Sequence, residues 1–274
     1  MRIQLYQNPP AAPSGNKADN FAPYMDTFLV GGACSPLGLV VVLPGGGYSH
    51  RAFHEGDPIA QRFNQLGFHA VTVQYRCRPY TYPAGLNDVA RAIRIIRANA
   101  EKWKVDPNKI AVCGFSAGGH LAGTSGLYYK DATHTEGDEA DQFSARPDAM
   151  ILSYPVIAAT EEYSHKGSAN NLLGVDAPLE ARQKMDLHKA VTEDTPPAFI
   201  WHTVTDQVVP VQNALAFGNA MIANNRLCEM HIFPEGPHGR GLGFACHALG
   251  QWTALAANFL SVTLGFPRGS TFNS

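Results

Sequence analysis

The pentapeptide Gly114-Phe115-Ser116-Ala117-Gly118 follows the short apolar run Ile110-Ala111-Val112-Cys113 and opens the small-residue stretch Gly119-His120-Leu121-Ala122-Gly123. That pattern predicts a strand, a sharp turn and a helix, with Ser116 at the apex. A serine held there adopts a strained backbone, and glycines two residues before and after it leave room for the chain to fold back on both sides. Its hydroxyl is then exposed over a helix N-terminus. By itself the pentapeptide is a weak signal in a chain with 26 glycines among 274 residues, and its strand and helix context gives it weight.

The rest of the chain continues the same alternation. Apolar runs too short for helices fall at Leu39 to Leu43, Ala70 to Gln74, Ile110 to Cys113, Ala149 to Ser153, Ala198 to His202 and Cys228 to Phe233. Stretches of helical period separate them, near Pro58 to Leu66, Leu86 to Lys104, Gly119 to Tyr129, Val211 to Asn224 and Leu249 to Leu264. This predicts an α/β fold, a mostly parallel central sheet with helices on both faces. The turns after the strands' carboxyl ends then converge on one cleft. With 45% apolar and 16% charged residues, the length suits a single domain over residues 1–274. Two segments break the rhythm. Lys130 to Pro147 is polar and reads as a solvated loop. Pro155 to Pro197 is too long for a structureless loop and reads as a small helical cap inserted at about 155–197. Arg91, Arg94 and Arg97, opposite the apolar stripe Ile93, Ile96, Ala100 and Trp103, read as a solvated helix face.

A formal charge of -2 gives no electrostatic reason to expect a nucleic-acid or anionic-membrane partner. The stretch Phe28 to Leu43 is broken by Gly31, Gly32, Pro36 and Gly38, so no membrane insertion is expected from it. Cys34, Cys77, Cys113, Cys228 and Cys246 are irregularly spaced, as free thiols in a reducing compartment would be. Residues Met1 to Asn20 lack a secretion-signal pattern, and the expected location is the cytoplasm. The 10 tyrosines and the cap permit homo-oligomer contacts without indicating any.

A serine hydroxyl is a poor nucleophile at neutral pH and needs a base, which in turn needs an acid to fix its tautomer. Asp206 follows the predicted strand Ala198 to His202, and His238 lies in the tight turn Pro234-Glu235-Gly236-Pro237-His238-Gly239 after Cys228 to Phe233. Alone, Asp206 reads equally as a turn or helix cap, and His238 is one of 11 histidines. Together, Ser116, Asp206 and His238 follow three different strands in the chain order of α/β-hydrolases. Asp194 is the reserve acid, disfavoured because it precedes its strand. Pro44-Gly45-Gly46-Gly47-Tyr48 follows the run Leu39 to Leu43, where residues without side chains let backbone N–H groups approach a substrate oxygen. The N–H of Ala117 complements them. A phosphate cradle would need Gly-x-Gly-x-x-Gly or a P-loop ending, and neither is present. His50 and His54 have i, i+4 spacing but lack the Glu and third ligand of a zinc site, so no metal and no cofactor are expected.

These residues resemble a known set. Pro44 to Tyr48, Gly114 to Ala122, Ser153-Tyr154-Pro155-Val156, Thr205 to Pro210 and Pro237-His238-Gly239 are similar to the motifs of bacterial α/β-hydrolase esterases related to the hormone-sensitive lipase group and to acetyl xylan esterases. The resemblance spans about Leu39 to Leu260. It implies a triad of Ser116, Asp206 and His238, with Gly46, Gly47 and Ala117 as oxyanion hole. Pro44 stands where the related motif often has histidine, which keeps the backbone donors but removes that histidine's contact. The function implied is a serine carboxylesterase for short acyl, chiefly acetyl, esters of small-molecule substrates, with an acetylated sugar as the leaving group. Tyr48 and the cap are expected to wall the acyl pocket. The same triad cleaves amides, as in arylformamidases or acyl-peptidases, and a non-catalytic binding protein on a hydrolase fold is the alternative from another class.

Overall fold

The computed structural model describes residues 1–244, 246 and 248–269. The strands are β1 (Arg2–Gln4), β2 (Tyr24–Phe28), β3 (Leu37–Leu43), β4 (His69–Gln74), β5 (Val105–Phe115), β6 (Ala149–Ser153), β7 (Ala198–Thr203) and β8 (Cys228–Phe233). The helices are α1 (Asp57–Gln65), α2 (Ala84–Ala98), α3 (Ala100–Trp103), α4 (Ala117–Leu127), α5 (Lys166–Leu173), α6 (Leu179–Lys184), α7 (Gln212–Ala223) and α8 (Trp252–Asn258). One eight-stranded sheet runs in the order β1-β2-β4-β3-β5-β6-β7-β8. Pairing from β4 to β8 is parallel, and only β1 and β2 pair antiparallel, β2 onto β4 with Met25 opposite Val73. This is the α/β-hydrolase architecture, a mostly parallel sheet covered by helices. Residues 270–274 of the expected domain lie outside the described residues.

Alternation along each strand sorts the core into two layers. Leu39, Val41, Val112, Leu152 and Ile200 point to the side covered by α2, α4 and α7, where they meet Ile93, Ile96, Leu121 and Phe217. Val40, Val42, Cys113, Ile151, Phe199 and Trp201 point to the other side, against Ile59 and Phe63 of α1 and Trp252 and Ala256 of α8. Each Val, Leu, Ile or Phe among them contributes about 1.5–3 kcal/mol by leaving water. Burial on both faces explains why β3 reads Leu-Gly-Leu-Val-Val-Val-Leu with no polar alternation.

Local expectations change at the α2 arginines and at two helical stretches. Arg91 and Arg97 are buried rather than solvated: Arg91 pairs with Asp138 and Asp141, and Arg97 pairs with Asp148 at 3.0 Å while donating to Pro107 O and Ser144 O. The acidic stretch within Lys130 to Pro147 folds back onto α2 and supplies Asp138 and Asp141, and Asp148 follows directly after it, so the arginines are covered while Thr133, Glu139 and Gln142 of the loop stay in water. The helical stretch to Lys104 breaks at Asn99, and the one from Leu249 is a 3-10 turn, then α8, then a π turn at Phe259–Thr263. The N-terminal segment forms β1 and β2, which the polar composition around Asp26 concealed. It is tied down by Tyr6, whose hydroxyl donates to buried Asp88 at 2.8 Å, the same carboxylate that Arg76 holds.

Segment 155–197 holds α5, α6 and the 3-10 turn Leu187–Ala190. It lies against the carboxyl end of the sheet: Asn171 Nδ2 donates to Gly47 O at 2.8 Å, and Tyr82 N–H donates to Leu172 O at 2.8 Å.

Candidate active site

Ser116 links β5 to α4 with φ 53° and ψ -119°. A Cβ on Gly114 would stand 2.0 Å from Gly118 O, and one on Gly118 would stand 2.2 Å from Leu43 O. Both glycines are therefore demanded by backbone packing on either side of the turn. The Ser116 backbone is fixed by its N–H donating to Ser153 O at 3.0 Å, and its carbonyl accepts from His120 and Val156 N–H.

Thr205 and Asp206 follow β7, and His238 follows β8. The Ser116 hydroxyl lies 2.8 Å from His238 Nε2, and His238 Nδ1 lies 2.6 Å from Asp206 Oδ2. A carboxylate can only accept, so Nδ1 carries the proton and Nε2 is left free to accept from the serine. The two Asp206 oxygens divide the work. Oδ1 accepts the N–H groups of Val208 and Val209 at 2.9 and 3.0 Å, while Oδ2 faces His238 and, at 3.4 Å, His202 Nε2. Burial acts to raise the Asp206 pKa, but bonds from His202, His238 and Val209 N–H outweigh it and hold the carboxyl well below the usual carboxylate range. The base loop is pinned to β7 through Thr203, whose hydroxyl donates to Gly236 O at 2.7 Å, and Thr205, whose hydroxyl accepts from Gly236 N–H at 2.9 Å.

After β3 the glycine turn brings Gly46 to φ 126°, Gly47 to φ 63° and Tyr48 to φ 57°. Gly45 N–H is already taken by Glu55 Oε2 at 2.8 Å. Among the described residues, the N–H groups of Gly46, Gly47 and Ala117 have no acceptor in the chain. These three donors, next to a serine hydroxyl bonded to an imidazole, are what a developing oxyanion needs. A hollow of about 10 Å³ adjoins the turn, lined by Tyr48, His120, Val156, Ala169, Leu172 and Met185. Its histidine is buried, which pushes the His120 pKa down to about 4; its Nδ1 lies 2.9 Å from the Tyr48 hydroxyl and its Nε2 3.2 Å from Met185 O.

The other candidates go elsewhere. Asp194 is exposed before β7, with only its carbonyl engaged, by Arg146. His50 Nδ1 meets Ser49 and His54 Nε2 meets Gly239 O, so the two do not converge. Among the described residues no group of three or more His, Cys, Asp or Glu is placed to hold a metal ion. Sequence reasoning missed His202, which touches the acid from β7, and Glu55 and Tyr154 beneath the site. It also missed His165, half-buried at the start of α5 with Nδ1 2.8 Å from Ser168 Oγ and its pKa lowered by burial. Tyr154 stood inside the quoted Ser153 to Val156 motif; the others carried no local signal.

The profile of the BD-FAE family matches residues 25–221, well over half the chain. The chain belongs to the BD-FAE family. Its similarity to proteins already characterised runs the same way. An endo-1,4-beta-xylanase B of Butyrivibrio fibrisolvens is 39% identical over 204 residues, 73% of this chain and 32% of that protein. An acetylxylan esterase of Xylanibacter ruminicola is 35% identical over 234 residues, 80% of this chain and 46% of that protein. The chain thus spans less than half of the length of these relatives. Among solved structures, an acetyl ester-xyloside bifunctional hydrolase from Caldicellulosiruptor lactoaceticus superposes with a TM-score of 0.90 at 37% identity, covering 97% of both chains. Among the described residues, no helix of this BD-FAE protein is long and apolar enough to cross a membrane.

Proposed function

We propose that this protein is a serine carboxylesterase acting on short-chain, chiefly acetyl, esters. The observation that carries the reading is the unbroken hydrogen-bond chain from Ser116 Oγ through His238 to Asp206, at 2.8 and 2.6 Å. Ser116 Oγ attacks the ester carbonyl as His238 Nε2 takes its proton. The tetrahedral oxyanion is held by the N–H groups of Gly46, Gly47 and Ala117. His238 then returns the proton to the departing alcohol, leaving an acyl-serine. Water, deprotonated by His238, releases the acid and restores the serine.

The acetyl preference rests on the hollow next to the glycine turn, lined by Tyr48 of that turn and by His120 of α4. At about 10 Å³ it has the space of roughly one water-sized sphere, enough for a methyl and too little for a longer chain without displacement of Leu172 or Met185. The similarity to an acetylxylan esterase and an acetyl ester-xyloside hydrolase supports an acetylated sugar as substrate.

The test is hydrolysis of p-nitrophenyl acetate, butyrate and octanoate by the wild type beside Ser116→Ala. Loss of the nucleophile is expected to cost on the order of 10⁴-fold or more in kcat. Rates that rise from acetate to octanoate would overturn the short-chain reading, and equal rates in both proteins would overturn the serine mechanism.

A further inference from the structure

Glu55 and Tyr154 take no part in the proton transfers above, yet both are buried beneath the site and bonded to both of its halves. Glu55 is 2% exposed and closes the 3-10 turn Phe53–Glu55 that follows the glycine turn. Its Oε2 accepts Gly45 N–H at 2.8 Å, and its Oε1 accepts the Tyr154 hydroxyl at 2.6 Å. The same phenol oxygen accepts Gly241 N–H at 2.9 Å, just beyond His238 on the base loop. The Tyr154 ring also meets the His238 imidazole edge-on, with centroids 5.0 Å apart. One chain of groups, Gly45, Glu55, Tyr154 and Gly241, therefore ties the turn after β3 to the loop after β8, although β5, β6 and β7 stand between those strands.

The tie has a cost that packing does not explain. Tyr154 sits at φ 35°, a conformation that residues with side chains avoid, and its N–H is fixed by Trp201 O at 2.7 Å. A buried carboxylate is tolerated only when its oxygens are bonded, and both oxygens of Glu55 are. Burial and the adjacent Glu55 push the Tyr154 phenol well above its ordinary pKa, so it stays protonated and donates.

We propose that Glu55 and Tyr154 are positioning residues that hold the oxyanion donors and His238 in mutual register. This rests on the serine-esterase reading, because only a reaction that uses both halves at once needs their spacing fixed. The transition state meets Gly46 and Gly47 on one side and His238 on the other, and a misplacement of about 1 Å costs on the order of 10²-fold.

Tyr154→Phe keeps the ring against His238 and removes the hydroxyl, leaving Gly241 N–H without its acceptor and Glu55 Oε1 with only the distant His54 Nε2, at 3.8 Å. Its kcat on p-nitrophenyl acetate is expected to fall about 10- to 100-fold, with KM within about twofold. The rate at which a fluorophosphonate labels Ser116 falls in parallel, since the phosphonyl oxygen uses the same donors. Glu55→Gln cuts the chain from the other end, and the double variant is expected to be no slower than the slower single. Tyr6→Phe is the control: it removes a buried phenol bonded to the buried Asp88 carboxylate outside the site, and it loses stability while keeping kcat. A folded Tyr154→Phe with kcat within about threefold of wild type, or a double variant whose losses multiply, overturns the proposal. If Tyr154→Phe does not fold, Glu55→Gln is read on the same terms. A wild type that is labelled at Ser116 but turns over no ester would sink the esterase reading alone, because the ratio of labelling rates still judges the tie.

Discussion

Asp206 shows how one side chain separates a structural duty from a chemical one. Its Oδ1 closes the turn by accepting Val208 and Val209 N–H, while its Oδ2 orients His238. In Asp206→Asn the amide oxygen can keep the turn, but the amide nitrogen then faces His238 Nδ1 and favours the tautomer with its proton on Nε2. Ser116 loses its acceptor in that tautomer. The expected result is a folded protein whose kcat is down by about 10⁴-fold, checked by thermal unfolding and p-nitrophenyl acetate turnover side by side. A variant that unfolds at room temperature would instead put the weight of Asp206 on the turn. The residues that the structure brings together at the candidate site were open to sequence reasoning because each has a type and a spacing that the proposed chemistry dictates: the glycines around Ser116, an acid and a histidine after successive strands. His202 and Glu55 were not, since a histidine within a strand or a glutamate after a turn acquires meaning only when folding delivers it to a particular oxygen or N–H.

At the scale of elements, α5 stands over the glycine turn because Asn171 reaches back to Gly47 O and Leu172 lines the hollow that Tyr48 also borders. Leu172→Ala should enlarge that hollow, raising the butyrate to acetate ratio of kcat/KM at a cost of about 2–5 kcal/mol in stability. A ratio unchanged in a folded variant would place the acyl group elsewhere. Element type and order were legible for the six parallel strands, five of which are apolar runs buried on both faces, while the edge strand β8 is half-buried. The antiparallel β1 and β2 were not, because a half-buried strand such as Tyr24–Phe28 carries Asp26 on its open side and makes no apolar run. The arginines of α2 misled for a related reason. Periodicity says which face avoids the core, and it cannot say that distant carboxylates will cover that face and bury its arginines while staying partly exposed themselves.

For the whole molecule, the buried histidines set the response to acid. His120 is lowered from 6.5 to about 4 by burial. Between those values the unfolded chain binds a proton that the folded one refuses, so its contribution is fully present above pH 6.5 and is lost as pH falls toward 4. Between pH 7 and 5 that loss is about 2 kcal/mol. His69, His165 and His188 are lowered chiefly by burial too and act with the same sign. Asp206, held low, contributes stability that disappears only in still stronger acid. Urea unfolding at pH 7 and pH 5 should show the drop, and His120→Gln should be less stable at pH 7 but flatter with pH. An equal slope in both proteins would assign the acid response to other groups.

The order in which the sheet is laid down has a temporal side. From β3 onward the strands beyond β5 are added one after another at a single edge, and His238 arrives 122 residues after Ser116. At about 5–20 residues per second, a ribosome takes roughly 6–24 s to cover that interval. Throughout it the nascent chain carries Ser116 without His238 to bond its hydroxyl. On the serine-esterase reading proposed above, the chain is inert toward esters while it is being made, and it becomes reactive only when nearly all of its sheet is in place.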